Sequence, residues 1–195
     1  MMELIEAKKL ADRLLSELQP HCERIDIAGS IRREKQSGIK DVELVCIPHR
    51  MQLGQFALFG NTQASAKSDV SSEFRIAVAK LGTVAMGKPD GKYMKIELPE
   101  GVNLDLFMPS DFDYYRQLAI RTGSADFSKN MIAGGWSKIG WCGSDLGLRR
   151  KEDCIRVVNG WKCTNPKAEL PPVWKSELEF FQWLGLGWVE PKNRI

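Results

Sequence analysis

Asp41 and Glu43 open the apolar stretch DVELVCIP in a chain of 195 residues. Strand side chains alternate between faces, so two acids one residue apart project from the same side. A third acid has a similar setting in VNLDLF, where Val102, Leu104 and Leu106 fall on one face and Asn103, Asp105 and Phe107 on the other. If the two strands are neighbours, three carboxylates converge at one end of a sheet. Carboxylates that close repel each other and hold their protons. A hard divalent cation removes the difficulty, because oxygen ligands suit Mg²⁺. Two such ions bridged by carboxylates are the usual apparatus of in-line phosphoryl or nucleotidyl transfer.

The segment just upstream, GSIRR, supplies a complement. Gly29-Ser30 follows a strand and precedes a helix start, so its backbone N–H groups and the Ser30 hydroxyl suit a phosphate. Arg33 would neutralise a second one, since a guanidinium fork matches phosphate oxygens. Each feature alone is more often an ordinary turn or a solvated strand edge. Their ordered combination describes a site for a nucleoside triphosphate and metal.

The elements that must position these residues are legible from periodicity. Leu4, Ala7, Leu10, Ala11, Leu14, Leu15 and Leu18 recur at helical spacing, which predicts a helix over 3–18 ended near Pro20. RIDIAG alternates as a strand. DVELVCIP is apolar on both faces after its first residues, as a central strand is. GNTQASAKSDVSS reads as a polar loop and 72–81 as a short helix. KYMKIELPEGVNLDLFMP reads as two strands joined by a turn at Pro99-Glu100-Gly101. Beyond Pro109 the pattern predicts two helices broken at Thr122-Gly123, short strands in DCIRVV and WKCTN, and a last helix over VWKSELEFFQWLGL.

The net charge is +3, unevenly spread: residues 1–120 hold 16 Lys and Arg against 17 Asp and Glu, residues 121–195 hold 12 against 8. A basic last third suits an anionic partner. The five cysteines form no C-x-x-C pair and only two histidines are present, which argues against structural zinc and for reduced thiols. The opening MMELIEAKKLADRLL reads as an amphipathic helix rather than a leader. No apolar run approaches the ~20 residues of a membrane span. A soluble, cytoplasmic chain is expected, without a membrane partner.

With these residues in place the chain resembles the nucleotidyltransferase superfamily, and within it the family X DNA polymerases. The resemblance rests on GSIRR, DVE, NLDLF and RTGSADFSKN, and extends into SELEFFQWLGLGWVEPKNR. It implies an α+β fold: a palm over 1–110 with a mixed sheet flanked by helices, and a small α/β thumb over 111–195. It also implies two Mg²⁺ or Mn²⁺ ions held by Asp41, Glu43 and Asp105. Gly29, Ser30 and Arg33 match the triphosphate contacts, and Thr122, Gly123 and Ser124 the turn against the incoming nucleotide. Arg121 and Ser128 flank that turn and are counted with it. Lys129, Arg149, Arg150, Lys151 and Lys162 are candidate nucleic-acid contacts, with Lys175 beside them. The expected activity is templated addition of a dNTP to a primer 3′-hydroxyl on gapped or primed DNA, by a monomer.

Departures from the family pattern are specific. Glu43 stands where the better-known members have Asp, and the loop from Ser30 to Asp41 is one residue longer. Ile120-Arg121 replaces the Tyr-Phe pair that helps exclude a ribose 2′-hydroxyl, while Ala125 and Ser128 replace polar residues near the base. With the palm expected to begin at residue 1, neither a lyase domain nor a helix-hairpin-helix clamp is expected. Two rivals stand beside the polymerase reading: template-independent transfer to an RNA end, protein or small molecule, and a non-catalytic member that only binds nucleic acid.

Overall fold

A computed structural model of the chain describes residues 1–51 and 69–195; the polar stretch read as a loop therefore lies, for 60–68, outside the described residues. The fold is α+β, with a mixed five-stranded sheet, helices and a second, smaller mixed sheet. The residues divide into two units, Met1–Ile31 with Lys35–Ser110, and Arg32–Glu34 with Asp111–Ile195.

In the first unit, α1 (Leu4–Leu18) starts where the Glu6 carboxylate accepts from the Glu3 backbone N–H at 3.4 Å, and buries Ala7, Leu10, Ala11, Leu14 and Leu18. β1 (Cys22–Ile27) leads into the one-turn α2 (Gly29–Arg32). β2 (Asp41–Pro48) follows, then β3 (Arg50–Met51), which pairs with β4 (Asp69–Val70). α3 (Ser72–Leu81) is capped by Ser71, whose Oγ accepts from the Phe74 N–H at 3.2 Å. β5 (Thr83–Gly87), β6 (Tyr93–Glu97) and β7 (Asn103–Phe107) complete the sheet in the order β1-β2-β7-β6-β5. Within this sheet, among the described residues, only β2 and β7 pair in parallel. The core joins α1 and α3 to one face of the sheet through Val42, Leu44, Met94, Ile96, Leu104 and Leu106. That leaves the alternate residues, Asp41, Glu43 and Asp105 among them, on the opposite face.

In the second unit, α4 (Tyr114–Thr122) ends at Gly123. The helical stretch after it is broken up: α5 (Ala125–Phe127), a π-helical turn over Ser128–Ala133, and α6 (Gly134–Lys138). β8 (Trp141–Ser144), β9 (Gly147–Arg150), β10 (Cys154–Val157) and β11 (Gly160–Cys163) form the small sheet, ordered β10-β11-β8-β9. The final helix, α7 (Glu177–Trp183), is shorter than the apolar pattern of 173–186 suggests. Ser176 caps it, accepting from the Glu179 N–H at 3.1 Å, and this fixes the first turn after Trp174 rather than before it. Trp136, Trp141, Trp174, Phe180, Phe181 and Leu184 make an aromatic core.

All five cysteines are free. Burial, then the neighbouring Cys142, push the Cys154 thiol up to about 12. No helix among the described residues is long and apolar enough to cross a membrane.

Candidate active site

Register sets the acids. In the parallel pairing of β2 and β7, Asp41 lies opposite Asn103 and Glu43 opposite Asp105. Partners in a ladder share a face, so all three carboxylates rise from the side that the core leaves open. Burial raises the Asp41 pKa from its ordinary 3.8, and the charge of Asp105 raises it further, while Lys95 pulls it back. Asp41 and Asp105 are thus close enough to feel each other.

Two residues that periodicity did not single out complete this face. Lys95 pairs with Asp105 across β6 and β7. Tyr93, on the same strand, donates its hydroxyl to Asp105 Oδ1 at 2.6 Å, and its ring lies 5.2 Å from that of Phe107. Their signal is the i, i+2 spacing in KYMKIE, but which strand would receive it depends on register.

Glu43 faces the Gly29-Ser30 turn. Gly29 has φ +64°, and a Cβ there would fall on the Glu43 carboxylate. The Ala28 N–H donates to the Glu43 carbonyl at 2.8 Å, and the Lys35 N–H to the Ser30 carbonyl at 3.0 Å. A carboxylate pressed on a turn whose N–H groups suit phosphate repels that phosphate until a cation intervenes. Among the described residues, no three His, Cys, Asp or Glu side chains stand close enough together to enclose an ion. The donor set nonetheless fits a hard divalent cation in its chemistry, being all carboxylate, with two members in mutual repulsion.

In the second unit, the 122–124 turn is held from three sides. Arg32 Nη1 donates to Thr122 Oγ1 at 2.6 Å, and Arg33 Nη1 to the Thr122 carbonyl. The Ser124 N–H donates to the Arg194 carbonyl at 3.0 Å, while Ser124 Oγ accepts from Phe127 N–H at 3.2 Å. Ser128 Oγ donates to the Ile120 carbonyl at 2.8 Å, and Arg121 is exposed. Gly123 has φ +67°, with Arg33 Nη1 only 2.9 Å from where a Cβ would sit. Beneath the turn Glu177, 6% exposed, takes Arg32 on one oxygen and the fully buried Arg194 on the other, at 2.9 Å. Burial lowers the Arg194 pKa, and Glu177 opposes that. Arg33 thus contacts backbone within its own unit, a partner the motif alone does not reveal.

No family model matches the chain, and no curated protein matches it.

The candidate nucleic-acid contacts fall into two groups. Arg149 donates to its neighbour's carbonyl, Arg150 pairs with Glu169 at 2.7 Å over the Trp141 ring, and Lys151 reaches the Ser137 carbonyl at 2.7 Å. Lys129 and Lys162 are exposed, and among the described residues their ammonium groups have no ion pair or hydrogen bond.

Proposed function

We propose that the chain is a nucleotidyltransferase of the family X DNA polymerase type, its first unit the palm and its second the thumb. It transfers a nucleotide from a dNTP to a primer 3′-hydroxyl: the 3′ oxygen bonds to the α-phosphorus and pyrophosphate leaves. The observation that carries this reading is the register of β2 against β7, with Glu43 opposite Asp105 and Asp41 two residues away on the same face. A structural role alone gives no reason to place Asp105 where its charge makes the buried Asp41 harder to ionise.

Asp41, Glu43 and Asp105 would hold Mg²⁺ or Mn²⁺, which when bound lowers the pKa of the attacking hydroxyl and offsets charge on the phosphates. Asp105, held at Oδ1 by Tyr93, accepts the hydroxyl proton at its other oxygen. The Gly29-Ser30 turn presents backbone N–H groups to the phosphates. In the second unit Arg32 and Arg33 fix the 122–124 turn, and the resemblance to the family gives that turn a part in nucleotide binding.

The test is extension of a labelled primer on a duplex with a single-nucleotide gap, with each dNTP and the matching rNTP, in Mg²⁺ and then Mn²⁺. Templated addition that Asp105→Ala abolishes supports the proposal. Equal addition without a template moves the reading to another acceptor, and normal extension by Asp105→Ala removes it.

A further inference from the structure

Six tryptophans lie from residue 136 to residue 188, and four of them form or pack against the aromatic core of the second unit. Trp136, Trp141 and Trp174 are buried in it, Trp183 packs against it, and Trp188 sits 5.3 Å from Phe181. Trp161 does not join them. It projects from β11, half-buried, and its ring partner among the described residues is the guanidinium of Arg156, 5.3 Å from the ring centre and directly across the β10–β11 pairing.

Beside that indole the tips of the two hairpins leave a concavity of about 420 Å³, lined by Ser144, Asp145, Val157, Asn159, Trp161 and Lys162. This is within the range of small-ligand sites. The polar groups along it divide sharply. Ser144 Oγ donates to the Gly147 carbonyl at 2.8 Å, and Asp145 Oδ1 accepts from the Cys163 N–H at 3.0 Å, so both serve the hairpins. The Asn159 amide, the Trp161 indole N–H and the Lys162 ammonium have no hydrogen-bond partner among the described residues.

We propose that this concavity binds an unpaired base of a nucleic-acid strand. The indole face offers the stacking surface, and the stacked Arg156 holds its orientation. The Asn159 amide can pair with a base edge as donor and acceptor. Lys162 and Arg156 supply cations for the adjoining phosphates. Stacking tolerates every base, so the site takes single strands without strong sequence preference. A duplex keeps its bases stacked on each other and gains only the phosphate contacts.

The proposal stands apart from nucleotidyl transfer and is tested where no transfer occurs. In EDTA, the full chain is titrated against a fluorescein-labelled oligothymidylate and against an abasic strand of equal length, by fluorescence anisotropy. The wild type should bind the base-bearing strand more tightly. Trp161→Ala should weaken that strand by about tenfold and leave the abasic strand unchanged, while Trp161→Phe keeps most of the affinity. Lys162→Ala should weaken both strands alike and flatten the salt dependence by about one unit of slope. Equal binding of the two strands by the wild type overturns the proposal without recourse to any variant. So does a Trp161→Ala protein, folded by circular dichroism, that binds as the wild type does, or a wild type that binds neither strand. None of these outcomes touches the primer-extension result, which depends on the acids of the first unit.

Discussion

The Tyr93 hydroxyl donates to Asp105 Oδ1 at 2.6 Å from the adjacent strand. A hydrogen bond of that length to a carboxylate is charge-assisted, and it fixes which way the carboxylate faces. Groups that orient metal-binding side chains in this manner commonly govern affinity nearly as much as the ligands.

Tyr93→Phe should therefore weaken Mn²⁺ binding by about tenfold or more, read from free Mn²⁺ by electron paramagnetic resonance with no substrate present. Primer extension by the variant should recover at raised metal concentration. Unchanged Mn²⁺ affinity would show that the hydroxyl orients nothing that matters to the ion.

Asp41 gives a pH signature. Its folded pKa is raised above 3.8, so the folded chain holds that proton more tightly than the unfolded one. Stability then falls as pH climbs from 3.8 to the raised value and is level above it. In EDTA, Asp41→Asn should melt higher than the wild type at neutral pH, and the difference should close as pH is lowered through that window. Mg²⁺ should raise the melting temperature of the wild type and affect the variant far less. A variant that melts lower at neutral pH would contradict the burial and repulsion assigned to Asp41.

Gly29→Ala tests the turn. The positive φ alone costs a side chain about 1–2 kcal/mol, and the new methyl must also displace the Glu43 carboxylate. Denaturant melts should show a loss beyond the backbone cost, and in a Gly29→Ala, Glu43→Ala double variant the excess should vanish. Additive losses would mean that Glu43 simply moves away.

Glu177→Ala leaves Arg194 buried without its ion-pair partner and removes the carboxylate partner of Arg32. Breaking a buried pair in this way costs about 3–5 kcal/mol. Because every tryptophan lies in the second unit, the fluorescence midpoint in urea reads that loss directly. A shift under about 1 kcal/mol, the range of a surface ion pair, would show the network to be ornamental to stability.

How much of this was open to reading from the chain depends on the range of the interaction. α1, β2, α3, β6 and β7 carry strong periodicity, and each lies close to where the pattern puts it. The three acids were visible as polar residues breaking apolar runs. β5 was not seen, because all of its residues are exposed and no alternation marks it. β8 and β9 are four-residue strands around the Asp145-Leu146 turn, too short for a period to register. Tyr93 and Lys95 could be seen as strand residues, but only strand pairing aims them at Asp105. The bond from Arg32 to Glu177 spans 145 positions, and no local pattern encodes it.

Arg32–Glu34 belong to the second unit although the chain on both sides of them belongs to the first. A gene cut between Ser110 and Asp111 would therefore not yield two self-sufficient fragments. The later fragment would leave behind the arginines that brace Thr122, and the earlier one would carry them without their partners. Any attempt to transplant, shuffle or separately express the two parts has to move that three-residue tract with the half it serves, for instance through a circular permutation opened beside it.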